Sequence, residues 1–119
     1  MRHHRSKSTL GRKSGPRRAL LKSLARNLIR AGSITTTESR AKELRPFLEK
    51  LTTRARGADI HSRRILQARI GDSDAVRILI EKIAPKYEKV SGGYLRITKL
   101  GTRKSDGSRR AHISFTHTT

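Results

Sequence analysis

Ten Lys or Arg residues precede the first acidic side chain, Glu38, and over the whole chain 29 basic residues face nine acidic ones, a formal net charge of +20 on 119 residues. Like charge at this density repels itself in any compact state. Such a chain can fold only around a modest core, and its charge suits work against a polyanion. Nucleic acid is the first candidate, because each Lys or Arg set on a phosphate releases condensed counterions. The charge is uneven. Residues 1–37 carry +10, residues 38–90 carry +5 from 13 basic and eight acidic groups, and residues 91–119 carry +5. This is a basic arm, a more balanced middle and a basic tail.

Leu, Ile, Val and Phe number 26, about 22% of the chain, enough for one small core. Two parts are expected. Residues 1–13 form a basic arm with Leu10 as its one large apolar side chain beyond Met1, and residues 14–119 form a single domain. The arm cannot bury enough surface to fold alone and is read as ordering on a nucleic acid. With no Cys there is no disulfide framework and no Cys-based zinc site. No apolar run exceeds three residues, so no membrane-spanning segment is expected.

Ser14-Gly15-Pro16 reads as a helix start, with Ser14 as N-cap. Leu20, Leu21, Leu24, Leu28 and Ile29 follow at helical spacing, and Gly32 ends the helix. Arg18, Lys22, Arg26 and Arg30 form an i, i+4 ladder two residues out of phase with the leucines, about 200° round the helix. A solvated face usually mixes signs. This one carries no acid, so the ladder reads as a phosphate-facing stripe.

Ser33 to Thr36 reads as a strand and Thr37 as the N-cap of a helix over 38–56, kinked at Pro46. Asp59 caps a helix to Ile70, closed by Gly71; Asp72 or Ser73 caps another, stopped by Pro85. A flexible link to Ser91-Gly92-Gly93 follows. Tyr94 to Leu100 and Ala111 to Thr116 read as strands around a polar hairpin loop. In the last strand Ala111, Ile113 and Phe115 alternate with His112, Ser114 and Thr116, the mark of half burial.

Nothing in the sequence supports an enzyme, a cofactor, a metal site or a small-molecule substrate. The five His residues show no HExxH spacing, and most Asp residues sit where helices need caps. The four aromatics, Phe47, Tyr87, Tyr94 and Phe115, are too few for a base-stacking platform. Many phosphate contacts and little base readout point to a folded or double-helical nucleic acid. A DNA-compacting architectural protein is the alternative, although neither a minor-groove wedge nor a dimerisation seam is evident.

Met1-Arg2-His3, Leu10, Arg12, Ser14 and Arg17 with Ala19 resemble the N-terminus of the bacterial large-subunit ribosomal protein L-seventeen family. The run Ile34-Thr35-Thr36-Thr37 followed by Arg40-Ala41-Lys42-Glu43-Leu44-Arg45 is similar to that family's most diagnostic block, and Ile83-Ala84-Pro85 with Gly92-Gly93-Tyr94 and Arg96 to a third. The resemblance implies an α+β, two-layer domain of order α-β-α-α-α-β-β with a small mixed sheet. It implies a structural role in the large subunit of a bacterial-type cytoplasmic ribosome, bound to large-subunit ribosomal RNA near the polypeptide-exit side, beside other ribosomal proteins. It also implies a mature chain beginning at Met1 or Arg2, with no leader. Combined with the arm and the ladder, it gives a candidate RNA-binding set: Arg2, His3, His4, Arg5, Lys7, Arg12, Lys13, Arg17, Arg18, Lys22, Arg26, Arg30, Thr36, Thr37, Arg40, Lys42, Arg45, Gly92, Gly93, Tyr94 and Arg96.

Overall fold

The computed structural model describes residues 14–57, 59–90, 92–102, 104 and 107–117. The arm candidates Arg2, His3, His4, Arg5, Lys7, Arg12 and Lys13 lie outside the described residues. Helix α1 spans Ser14–Ala31, strand β1 Ser33–Thr37, and helices α2, α3 and α4 span Glu38–Ala55, Ile60–Ile70 and Ser73–Ile78. A π turn (Leu79–Ile83) and a 3-10 turn (Ala84–Tyr87) extend α4 before strands β2 (Leu95–Thr102) and β3 (Arg109–Phe115). The class is α+β, in the expected element order.

The helix boundaries follow from local chemistry. Ser14, the first described residue, already lies within α1, and Gly32, with φ of 85°, closes the helix by donating its N–H to the Leu28 carbonyl at 2.7 Å. The Thr37 hydroxyl accepts from the Arg40 N–H at 3.4 Å to cap α2. Asp59 accepts from the Ser62 N–H at 2.7 Å to cap α3, and Asp72 accepts from the Asp74 and Ala75 N–H groups to cap α4. α2 runs unbroken through Pro46, whose ring is exposed.

Three expectations are corrected. The sheet is purely antiparallel, not mixed: β3 lies in the middle of the order β1-β3-β2 and opposes both neighbours. β1 and β2 point the same way but never pair, because the C-terminal hairpin strand slots between them. Pro85 does not end the α4 run either. It stands early in the 3-10 turn, where its missing N–H costs little. The segment that follows is held rather than loose. Tyr87 is 0% exposed, and Arg56 donates to the Glu88 and Val90 carbonyls at 2.8 and 2.6 Å.

α2 is the centre of the packing. Its Ala41, Leu44, Leu48, Leu51 and Ala55 are buried, with the sheet on one side and α1, α3 and the π turn on the other. From the sheet come Leu95, Ala111, Ile113 and Phe115; from the helices come Leu21, Leu28, Leu66, Ile70 and Leu79. In α1 the buried face runs Leu21, Ala25, Leu28, Ile29, one position round from the leucine row; Leu20 and Leu24 are half-buried. Leu28→Ala should therefore cost about 2–5 kcal/mol in urea unfolding, the range for a fully buried leucine. Leu24→Ala should cost clearly less. Equal losses would place the core face where the leucine row alone puts it.

Candidate nucleic-acid interface

The four-cation ladder of α1 is split by its surroundings. It faces the junction between α3 and α4. Arg26 Nε donates to the Ile70 carbonyl at 2.9 Å, so it serves the C-terminal end of α3. Arg30 pairs with Asp72, the residue that caps α4. Gly71 between them has φ of 73°, and a Cβ there would lie 3.3 Å from Arg26 Nη2. Glycine suits the left-handed backbone there, and a side chain would also crowd the guanidinium. Arg18 is exposed and Lys22 half-exposed, and neither has a hydrogen-bond or ion-pair partner among the described residues. The outward half of the ladder is thus its N-terminal half. Arg17 points the other way, to Glu43 at 2.6 Å, and makes burial of that carboxylate possible.

A second group gathers where α2 begins. Thr37, Ser39, Arg40, Lys42, Ser108 and Arg109 surround Glu38 along an open cleft of about 550 Å³. Lys42 reaches Glu38 at 3.1 Å and Lys99 of β2 reaches the same carboxylate at 3.9 Å. The Lys42 hydrogen bond holds the Glu38 carboxyl below its ordinary range, with Lys99 and Arg109 adding to the effect. One acid thus sits among Arg40, Lys42, Lys99 and Arg109, and the cleft keeps a positive balance. Arg45, one turn on from Lys42, lines a neighbouring cleft of about 420 Å³ with Gly93 and Ile97. Lys99 and Arg109 were missed by sequence reasoning. Arg109 falls on the inward phase of β3 once the Ala111-Ile113-Phe115 alternation is carried two residues back.

The Gly92-Gly93-Tyr94 block has a folding explanation. Both glycines have positive φ, 113° and 70°. They turn the chain so that the Tyr94 and Leu95 N–H groups meet the Glu49 carboxylate at 3.3 and 3.1 Å. The Tyr94 ring is 1% exposed and meets Tyr87 edge-on at 5.0 Å, so it offers no face for a base to stack on. Burial pushes its phenol up, but hydrogen bonds with Thr53 and Arg56, and the Arg56 charge, outweigh this and leave it below the ordinary tyrosine range. Tyr94 is thereby placed in the core. Of the remaining candidates, Thr36 lies half-buried on β1 and Arg96 is exposed on β2, away from both clefts.

The candidates therefore form two cationic groups rather than one stripe, with Arg96 apart. Among the described residues, seven acids are already committed: Glu38, Glu43, Glu49, Asp72, Asp74 and Glu81 to cations, and Asp59 to a helix cap. Each ion pair takes up a cation with its acid, so the outward surface keeps the basic excess of the chain.

A sequence model of the family described as ribosomal protein L17 matches residues 20–116. The chain is 45% identical over 115 residues to a protein of Gemmatimonas aurantiaca named large ribosomal subunit protein bL17, covering 97% of this chain and 98% of that one. It is equally similar, 45% over 115 residues and the same coverage, to the protein of that name from Campylobacter fetus subsp. fetus. A Thermoanaerobacter sp. protein of the same name is 48% identical over 99 residues, 83% of this chain and 88% of that one.

Two measurements check the geometry. Arg26→Met removes the donor to the Ile70 carbonyl while keeping an apolar stem, and should cost about 1–2 kcal/mol in urea unfolding. Arg18→Met should be neutral or slightly stabilising, since it relieves like-charge repulsion along the ladder. Equal effects would mean that the ladder is not divided. Glu38 gives a pH test. A carboxyl with a lowered folded-state pKa stabilises above its unfolded value of 4.5, and that stabilisation is lost as pH falls through the folded value. Glu38→Gln should therefore melt below the parent at pH 7, with the gap closing as the pH drops below 4.5. A gap independent of pH would detach the effect from the Lys42 pair.

Proposed function

Because the chain belongs to the ribosomal protein L17 family, we propose that it holds large-subunit ribosomal RNA through phosphate contacts, near the polypeptide-exit side of the subunit. It is a structural constituent of the large ribosomal subunit of the bacterial cytoplasm, not an enzyme. The observation that carries the RNA reading is the excess of outward cations over the acids beside them. With those carboxylates engaged by caps and ion pairs, Arg18, Lys22, Arg40 and Arg109 look out on solvent without an equal number of acids beside them. Partners of this surface must be polyanions, and the subunit's RNA is the polyanion at hand.

The division of labour is then specific. Arg18, Lys22, Arg40, Lys42 and Arg45 contact phosphates directly, with Thr36, Thr37 and the Gly92-Gly93 turn beside them. The arm at 1–13 adds Arg2, His3, His4, Arg5, Lys7, Arg12 and Lys13, threading between RNA helices. Arg17, Arg26 and Arg30 act behind them by fixing α1 on α2, α3 and α4. All four aromatic rings are buried or packed on the core, which favours recognition of shape and charge over base stacking.

Salt dependence tests the reading. If six to ten cations engage phosphate, the affinity of the whole chain for a large-subunit RNA fragment should fall about 10³- to 10⁵-fold between ~50 and ~200 mM salt. A nearly flat response, or strict preference for one short single-stranded sequence, would refute phosphate-based binding.

A further inference from the structure

The sheet has a second face that the helices leave uncovered. Antiparallel register places Ser33, Ser114 and Arg96 in one cross-strand row and Thr35, His112 and Thr98 in the next, with Thr37 beside Arg110 in a third. Successive side chains on a strand point to opposite faces. Since Leu95, Ala111, Ile113 and Phe115 are buried, these residues point away from the core. Thr35, Arg96, Thr98 and Arg110 are exposed, and Ser33, His112 and Ser114 are half-exposed.

The chemistry of this face is narrow. None of the three strands contains an acid, and the three rows contain no large apolar side chain. A face meant to pack on another protein would need a broad apolar area, and the one large apolar side chain here is Leu100, 45% exposed at the β2 bulge beside the rows. A face left to water would ordinarily mix charges, and here the only charges are cationic. Arg96 and Arg110 have no ion-pair partner among the described residues. Hydroxyls make up most of the remainder. Thr35 Oγ1 and His112 Nδ1 lie 3.3 Å apart, a hydrogen bond that orients the imidazole in the middle of its row. No Phe, Tyr or Trp is present on this face to stack an unpaired base.

We propose that this sheet face docks along the shallow minor groove of an RNA double helix, its serines and threonines meeting ribose 2′-hydroxyls while Arg96 and Arg110 meet the flanking phosphates. The inference rests on the RNA-binding reading above and adds a second surface of different chemistry. Three strands about 4.8 Å apart give a hydroxyl-lined platform about 10 Å across. The A-form minor groove is wide, shallow and lined by 2′-hydroxyls, so a flat polar surface can reach it. B-form DNA offers neither the hydroxyl nor the same groove width. The face should therefore prefer RNA to DNA, which phosphate attraction alone does not.

The test uses the full chain, a 20-base-pair RNA duplex and a DNA duplex of matching sequence at fixed salt, with thermal melting to confirm folding. Arg96→Glu with Arg110→Glu should weaken RNA-duplex binding by about tenfold or more and lower the salt slope by roughly two, one for each phosphate that is no longer neutralised. Arg64→Glu with Arg69→Glu on exposed α3 is the control and should do less. Thr35→Val with Thr98→Val removes hydroxyls but keeps β-branched shape, and should shrink the preference for RNA over DNA several-fold. Sheet-face reversal no worse than the α3 control overturns the proposal. So does a Val pair that leaves the RNA-to-DNA ratio unchanged. In either case a steep parental salt slope would leave the phosphate-binding reading standing, whereas a flat parental slope would remove both.

Discussion

The fold depends on one helix that is buried on two sides. α2 lies between the sheet and the other helices, and three acids on it fasten α1 and two points of β2. Glu43 holds Arg17 of α1, Glu38 holds Lys99 of β2, and Glu49 accepts the Tyr94 and Leu95 N–H groups at the start of β2. Apolar burial by Leu44, Leu48 and Leu51 supplies the bulk of the attraction. The acids supply register, because a charge-assisted hydrogen bond is satisfied in one geometry only. Arg56, just past the end of α2, extends this role by gripping the Glu88 and Val90 carbonyls and the Tyr94 hydroxyl. The segment between the 3-10 turn and β2 is thus tied back to the same helix.

Using carboxylates in this way has an electrostatic consequence. Each ion pair takes up a cation along with its acid, so the excess of 29 basic residues over nine acidic ones still faces the surroundings. Internal pairing also explains why some basic residues are less available than their position suggests. Arg26 and Arg30 stand in phase with Arg18 and Lys22, yet they close the α3–α4 junction. Fixing that junction sets the direction in which Arg18 and Lys22 project, so the two halves of the ladder act in sequence.

Much of this was legible in the residues. Thr37, Asp59, Gly32 and Gly71 mark their helix ends because capping is a local matter, settled within four residues. The inward phase of β3 was legible for a similar reason, since Ala111, Ile113 and Phe115 alternate cleanly. What could not be read was long-range. The 44-residue separation of Arg26 from Ile70, and the 42 residues from Arg30 to Asp72, leave no trace in local spacing. The place of β3 between β1 and β2 is likewise a choice among pairings that each strand's pattern would allow. Gly92-Gly93-Tyr94 shows the limit most plainly. The block stands out in the sequence, but only the structure explains it, through a backbone turn toward Glu49 and a buried ring.

Stability and partner binding are linked in such a molecule. Outward cations that lack acids repel one another at every pH where Lys and Arg stay charged, and the surface has few carboxylates left to relieve this. A bound polyanion removes that repulsion and adds mass-action stabilisation to the folded state. Under the proposed binding to RNA, the same cations that weaken the free protein become stabilising in the complex. The acids on α2 then need only hold the free chain together. Their placement on α2, where they join the core to α1 and to β2, does so with three side chains.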